Sequence, residues 1–183
     1  HNLSNVAAAI AACRILDVFF DNIKTKISNI KLPLKRFEFK GKIEGRTIID
    51  DYAHHPKAIK ATIKLGRLFL DEQHKYKRLI AIFQPHRFSR VSKFFIEFAN
   101  ELALADKIII TNIYGAGEKN INNISSSLIS TEIFKLNKNV KTVKDNNEIR
   151  KNFNHLTREN DLIINMGAGD CHNLWQILTS QKY

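Results

Sequence analysis

Apolar residues recur at helical spacing from the start of the chain. Val6, Ala9, Ile10, Cys13 and Leu16 share one face, Asn2 or Ser4 can cap them, and the pattern predicts a helix over 2–20. A second short helix, about 21–30, leads to Pro33, where the pattern changes. Arg36-Phe37-Glu38-Phe39 alternates, Gly41 to Gly45 reads as a turn, and 46–50 is extended again, so a hairpin is expected to open a new domain near Pro33.

Beyond the hairpin, strands and helices alternate. The stretch 56–70 is amphipathic, with Ile59, Ile63, Gly66 and Leu70 on one side. Residues 79–83 form a short apolar run, read as a buried strand. Val91, Phe94, Phe95, Phe98 and Leu102 then mark a helix face. A strand at 107–111 precedes a long polar loop through Asn123. A helix over 126–136, a strand over 140–143, a helix over 146–156, a strand over 162–165 and a helix over 171–178 complete the chain. Strands without polar alternation are buried on both faces. The expected fold is therefore α/β: a mostly parallel, Rossmann-like open sheet with helices on both faces, preceded by a short helical segment.

Bulk composition bounds this picture without changing it. With 183 residues, 44% hydrophobic and 26% charged, the chain suits one globular domain plus an appendage. No run of 18 apolar residues occurs, and the amino end shows no signal-peptide pattern. Cys13 and Cys171 are expected to be lone buried thiols in a reducing cytosol. The net charge of +11 and pI near 9.7 suit anionic partners, nucleotides as well as nucleic acid. The lysines are scattered, however, and charge alone selects neither. The chain opens at His1 inside what reads as an element already under way, so a fragment of a longer protein is expected.

Chemistry gathers where the strands end. Ile48-Ile49 runs into Asp50-Asp51-Tyr52-Ala53-His54-His55, and Pro56 then opens a helix. The next strand ends in Gln84-Pro85-His86-Arg87-Phe88-Ser89-Arg90, the third in Tyr114-Gly115-Ala116-Gly117-Glu118, and the last in Met166-Gly167-Ala168-Gly169-Asp170. A parallel sheet brings these carboxyl ends to one edge, so they are expected to converge. Arg87 and Arg90, three apart at a helix start, can face one cleft and hold carboxylate or phosphate. The Gly-Ala-Gly turns do not continue as G-x-G-x-x-G, because positions 120 and 172 are Asn and His. Asp170 reads equally well as a helix cap. His54, His55, His86 and His172 lack the H-x-x-x-H or C-x-x-C spacing of a closed metal site, so no metal site is expected. Ser89 lacks a G-x-S-x-G elbow, and no Walker A pattern occurs.

Taken together, these motifs resemble those of the carboxyl-terminal part of the Mur ligase family. The segment His1-Asn2-Leu3-Ser4-Asn5 looks like the family's H-N-x-x-N late in its central ATPase domain. Lys35-Arg36-Phe37 looks like its domain-entry R-R-F, with Lys35 in the first Arg position. Asp50 to Pro56 matches D-D-Y-[AG]-H-H-P, Gln84 to Arg90 matches Q-P-H-R-[FY]-[ST]-R, and Tyr114 to Glu118 and Gly167 to Asp170 match Y-x-A-G-E and G-A-G-D. The resemblance implies that 1–33 is the tail of the central ATP-binding domain and 34–183 the carboxyl-terminal domain. It further implies ATP-dependent joining of L-alanine to UDP-N-acetylmuramate through an acyl phosphate, in bacterial cytoplasm. ATP with Mg2+ is implied, the metal ligands lying mostly outside this chain. The implied partners are the missing amino-terminal and central domains, with neither nucleic acid nor membrane.

Residue by residue, the resemblance puts His1, Asn2 and Asn5 by the adenine, Arg36 at the ATP phosphates, and Asp51 and Tyr52 by the ribose and the substrate junction. His54, His86, Arg87 and Arg90 would bind substrate, the last three through the alanine carboxylate and neighbouring anions. His55, Tyr114, Glu118, Gly167, Gly169 and Asp170 would build the supporting loops. A murein-peptide recycling ligase of the same family is the alternative. A free-standing nucleotide- or RNA-binding module is the alternative from another class.

Overall fold

The structure is a computed structural model that describes residues 2–27 and 34–180. It divides into two compact units, 1–34 and 35–183. The first holds helices α1 (Asn2–Ile15) and α2 (Phe20–Ile27). The pattern predicted one helix through residue 20, but α1 stops at Ile15 because Asp17 turns left-handed, at φ 57. Val18 N–H then reaches back to the Cys13 carbonyl (3.0 Å) and Asp17 N–H to that of Arg14 (3.1 Å), the double bond pair of a Schellman stop. Glycine usually takes that position. Aspartate there gave no warning. His1, Pro33 and the expected end of the second helix lie outside the described residues.

The second unit is a six-stranded sheet in the order β1-β2-β6-β3-β4-β5. Its strands are β1 (Glu38–Ile43), β2 (Arg46–Asp51), β3 (Arg78–Phe83), β4 (Lys107–Ile110), β5 (Val140–Thr142) and β6 (Asp161–Met166). Only β1 runs antiparallel to its neighbour; β2, β6, β3, β4 and β5 are parallel. The hairpin turn is Glu44-Gly45 alone, with φ 45 and 78, the left-handed pair of a two-residue turn. The expected turn from Gly41 is instead a bulge: pairing skips Lys40, and β1 continues to Ile43.

Helices cover both faces. On one lie α3 (Pro56–Gln73), α4 (Phe88–Leu102) and α5 (Ser127–Leu136), whose Ile59, Ile63, Val91, Phe98, Ile129 and Ile133 pack on Ile49, Leu79, Ala81, Phe83, Ile108 and Ile164. On the other lie α6 (Asn146–Lys151), α7 (Phe153–Leu156) and α8 (Leu174–Thr179), packed on Ile48, Ile80, Ile82, Ile109 and Ile163. Successive residues of each strand thus enter opposite cores, which is why the strands read as unbroken apolar runs. Each fully buried side chain of this size contributes roughly 1.5–3 kcal/mol.

The single helix expected over 146–156 is broken at Asn152, which leaves helical geometry at φ −108, ψ 15 while its amide holds the Glu148 carbonyl (3.0 Å). The last helix is likewise split. A 3₁₀ turn, Asp170–Asn173, precedes α8 because buried side chains hold its backbone, as described below.

Strand β6, last in the chain, lies between β2 and β3 and pairs in parallel with both. Chain leaving β2 must cross β6 to reach β3, so the order reverses there. A crevice opens outside the carboxyl ends at such a point. Among the described residues no helix is long and apolar enough to cross a membrane.

Candidate functional site

The four strand ends meet at this crevice. Asp51 of β2 is paired with Met166 of β6, and Met166 with Phe83 of β3. Beyond the strands, Arg87 N–H donates to the Tyr114 carbonyl (2.8 Å) and Tyr114 N–H to that of Pro85 (2.8 Å), which draws the end of β4 alongside His86.

A chain of rings crosses the edge. His172 stacks on Tyr52 (centroids 5.8 Å, 14°), Tyr52 meets His54 edge-on (5.0 Å), His54 lies 5.8 Å from His86, and His86 stacks on Tyr114 (5.6 Å, 15°). Four strands thereby contribute to one surface. His54 Nδ1 is 2.7 Å from the Tyr52 carbonyl oxygen. Burial holds His54 below the ordinary imidazole range against that bond, with Arg90 adding to the effect. His86 is also lowered, by burial first and by Arg90 next. Arg90 donates from Nη1 to His86 Nδ1 (3.2 Å) and, at 3.4 Å, to the His86 carbonyl.

Arg87 takes a different partner. It enters α4 with φ 70, a left-handed position for a residue with a side chain, and its guanidinium lies 3.6 Å from the Glu118 carboxylate. Glu118 also accepts from Ser89 N–H (3.0 Å) and Ser89 Oγ (2.8 Å), so a carboxylate from the 114–118 loop caps the helix. The bond from Ser89 N–H draws the Glu118 pKa below its usual value. An open cleft of about 430 Å³ continues from this cap, lined by Phe88, Ser89, Lys93, Glu118 and the 119–124 loop.

Beneath the rings lies a buried polar network whose pairings, with Asn165 and Asn146 among its members, the sequence reading did not foresee. Asp50, 3% exposed, accepts from Asn165 Nδ2 (2.8 Å) and pairs with His172 Nδ1 (2.8 Å). Asn165 also donates to the Cys171 carbonyl (2.9 Å), and Asn146 to that of Asp170 (3.1 Å). The Gln84 amide spans the Asp170 carboxylate (2.5 Å) and Cys171 N–H (3.1 Å). These bonds fix the 3₁₀ turn. The legible signal was a polar residue ending each apolar strand, since a buried amide or carboxylate there must find partners.

Asp51 is 5% exposed, and its carboxylate staples the chain entry by accepting from Phe37 N–H (2.8 Å) and Ala53 N–H (2.7 Å). Burial raises its pKa against those bonds, with Arg36 also opposing. His55 caps α3, accepting from Lys57 N–H (3.4 Å), and its ring meets Phe94 edge-on. Gly169 packs so closely that a Cβ would fall on Gln84 Oε1 and 2.6 Å from the Tyr114 ring, while Gly167 lies against Cys171. Burial pushes the Cys171 thiol up to about 12. Asn2 and Asn5 lie in α1, in the other unit, and His1 lies outside the described residues.

A doubly wound, mostly parallel sheet with clustered rings and carboxylates at its carboxyl edge defines an α/β domain of the open-sheet class. The chain belongs to the Mur ligase family: residues 35–169 match its glutamate ligase domain. Over its whole length it is 60% identical to the UDP-N-acetylmuramate–L-alanine ligase of Prochlorococcus marinus subsp. pastoris (strain CCMP1986 / NIES-2087 / MED4) and 46% identical to that of P. marinus strain NATL1A. It spans about 40% of the length of these relatives. In fold it is similar to the UDP-N-acetylmuramate–alanine ligase of Thermotoga maritima (TM-score 0.75, 24% identity, 97% of this chain, 36% of that one). A murein peptide ligase from Psychrobacter arcticus is comparably similar (TM-score 0.74, 22% identity, 97% of this chain, 36% of that one).

Proposed function

We propose that this chain is the carboxyl-terminal part of an ATP-dependent ligase that joins L-alanine to UDP-N-acetylmuramate through a muramoyl phosphate. The observation that carries this reading is 60% identity, over the full chain, to a relative of that name. Converging strand ends support it, because ligation needs cations and oriented dipoles around carboxylate and phosphate with water kept away. In this reading Arg90, oriented by His86, holds the alanine carboxylate with His86 beside it, while Arg87 meets neighbouring anionic groups. Tyr52 and Asp51 border the substrate junction and ribose, and Arg36 reaches the ATP phosphates. His1, Asn2 and Asn5 border the adenine. Residues 1–33 are then the end of the ATP-binding domain, and 34–183 the carboxyl-terminal domain.

Among the described residues no cluster of three or more His, Cys, Asp or Glu could hold a metal ion, and in this reading the Mg2+ that accompanies ATP is held mostly by residues outside this chain. The test is ATP turnover by the full-length protein that carries this chain. It should require both UDP-N-acetylmuramate and L-alanine, and L-alanine should be the better acceptor than the tripeptide L-alanyl-γ-D-glutamyl-meso-diaminopimelate. Preference for the tripeptide would move the assignment to a recycling ligase. Binding of generic RNA with no response to alanine would remove ligation altogether.

A further inference from the structure

Tyr52 stands at the crevice with little to hold it. More than a third of it is exposed, and among the described residues its hydroxyl makes no hydrogen bond. Its backbone is anchored, the N–H donating to the Lys35 carbonyl (2.7 Å). A ring on a fixed backbone still turns about two torsions unless a neighbour stops it. Among the described residues two rings touch it. His54 meets it edge-on, but His54 leans on the Tyr52 carbonyl and belongs to the same loop. The ring that comes from elsewhere in the chain is His172, stacked on Tyr52 at 14°.

His172, unlike Tyr52, is tied down. Its side chain is 8% exposed, and its Nδ1 lies 2.8 Å from one Asp50 carboxylate oxygen. The other oxygen accepts from Asn165 Nδ2 (2.8 Å), the residue opposite Asp50 in the β2–β6 pairing. The turn that carries His172 is fixed on both sides of Cys171, whose N–H donates to Gln84 (3.1 Å) and whose carbonyl accepts from Asn165 (2.9 Å). His172 Nε2, however, is buried without a hydrogen-bond partner among the described residues. A phenylalanine would stack on Tyr52 without burying a bare nitrogen, and an unpaired buried polar atom is destabilising. What the imidazole adds is the bond to Asp50, which fixes the plane of the ring.

We propose that His172 is a positioning residue: anchored on Asp50, it holds the Tyr52 ring at the angle from which Tyr52 meets substrate. This rests on the ligation reading above, in which Tyr52 borders the substrate junction. The His172 side chain is itself too buried to present a face to substrate, so its effect passes through Tyr52. The path runs from the centre of the sheet to its edge. The β2–β6 register sets Asp50, Asp50 sets His172, and His172 sets Tyr52. A histidine present only to satisfy Asp50 would stabilise the fold whatever stood at position 52 and would leave substrate affinity alone. That difference can be measured.

The experiment uses the full-length protein in a double-mutant cycle of His172→Asn with Tyr52→Ala, read as kcat and KM for L-alanine and for ATP. Asparagine keeps an amide N–H near the Nδ1 position for Asp50 and removes the ring. With Tyr52 present, His172→Asn should raise the KM for L-alanine roughly 3- to 10-fold, the scale of one aromatic pair. Its kcat and its KM for ATP should stay within about twofold of wild type. On the Tyr52→Ala background it should change nothing further. His172→Phe keeps the ring and loses the Asp50 bond, so its KM for L-alanine should fall between those of wild type and His172→Asn. It carries the same cycle if His172→Asn does not fold. An equal rise on both backgrounds, or no rise on either, overturns the positioning role and leaves His172 as a partner for Asp50 alone. A wild type with no alanine-dependent turnover overturns the ligation reading, and the positioning role with it.

Discussion

Two imidazoles held below their ordinary range make acid an opponent of folding. Burial is the first cause at His54 and His86, and Arg90 the next cationic one at each. Charging them costs more in the folded protein than in the unfolded chain. The stability at stake is full above the ordinary imidazole pKa and is lost as pH falls through it toward the lower folded values. Urea unfolding across that window should show falling stability in wild type and a flatter profile in the double variant His54→Asn/His86→Asn. Parallel profiles would assign the acid response to other groups. Cys171, pushed up to about 12, should stay unmodified by iodoacetamide in the native state at neutral pH and react once unfolded. Native labelling would mean that the 167–173 segment opens.

At the scale of elements, the strand-end loops act as packed pieces. Gly169→Ala would drive a methyl into Gln84 and the Tyr114 ring and loosen the amide that holds the 3₁₀ turn. It should cost about 1–3 kcal/mol, the range for overpacking, read by thermal or urea unfolding. At the opposite end of the sheet Arg78 forks onto Asp161 (2.9 and 2.7 Å), whose second oxygen also accepts from Arg158 N–H (2.7 Å). Asp161→Ala should cost about 3 kcal/mol, the low end for breaking a buried pair, because Arg78 keeps partial exposure. A loss below about 1 kcal/mol would mean that Arg78 finds another partner.

The elements that were legible were those whose signal lies within one stretch of chain. Residues 79–83 and the face Val91, Phe98 and Leu102 announced a strand and a helix because apolar spacing is local. The four polar strand ends were legible too, since parallel pairing alone brings them together. What escaped depended on distant partners. Nothing near Asp50 shows that His172 will meet it, nor that Asn165 will hold the same carboxylate. Nothing near Glu118 shows that it will cap a helix that begins 30 residues earlier, at Phe88. Backbone surprises had a similar source, as where Asp17 took a left-handed position usually given to glycine.

For the whole molecule, the sequence places Arg87 and Arg90 after one strand but contains no Walker A loop. This 183-residue polypeptide alone should therefore show no ATP turnover with UDP-N-acetylmuramate and alanine, whereas the full-length protein should. Turnover by the isolated chain would contradict the division of labour proposed here. A second consequence belongs to synthesis. Strand β6, which follows the other five strands of the described sheet in the sequence, fills its centre, so a nascent chain leaves the ribosome with β2 and β3 complete but unbridged. Both flanks present bare hydrogen-bonding edges and half of two apolar cores until residues 161–166 are made. A message cut short just before that point yields an adhesive fragment with no middle, a substrate for proteases and chaperones.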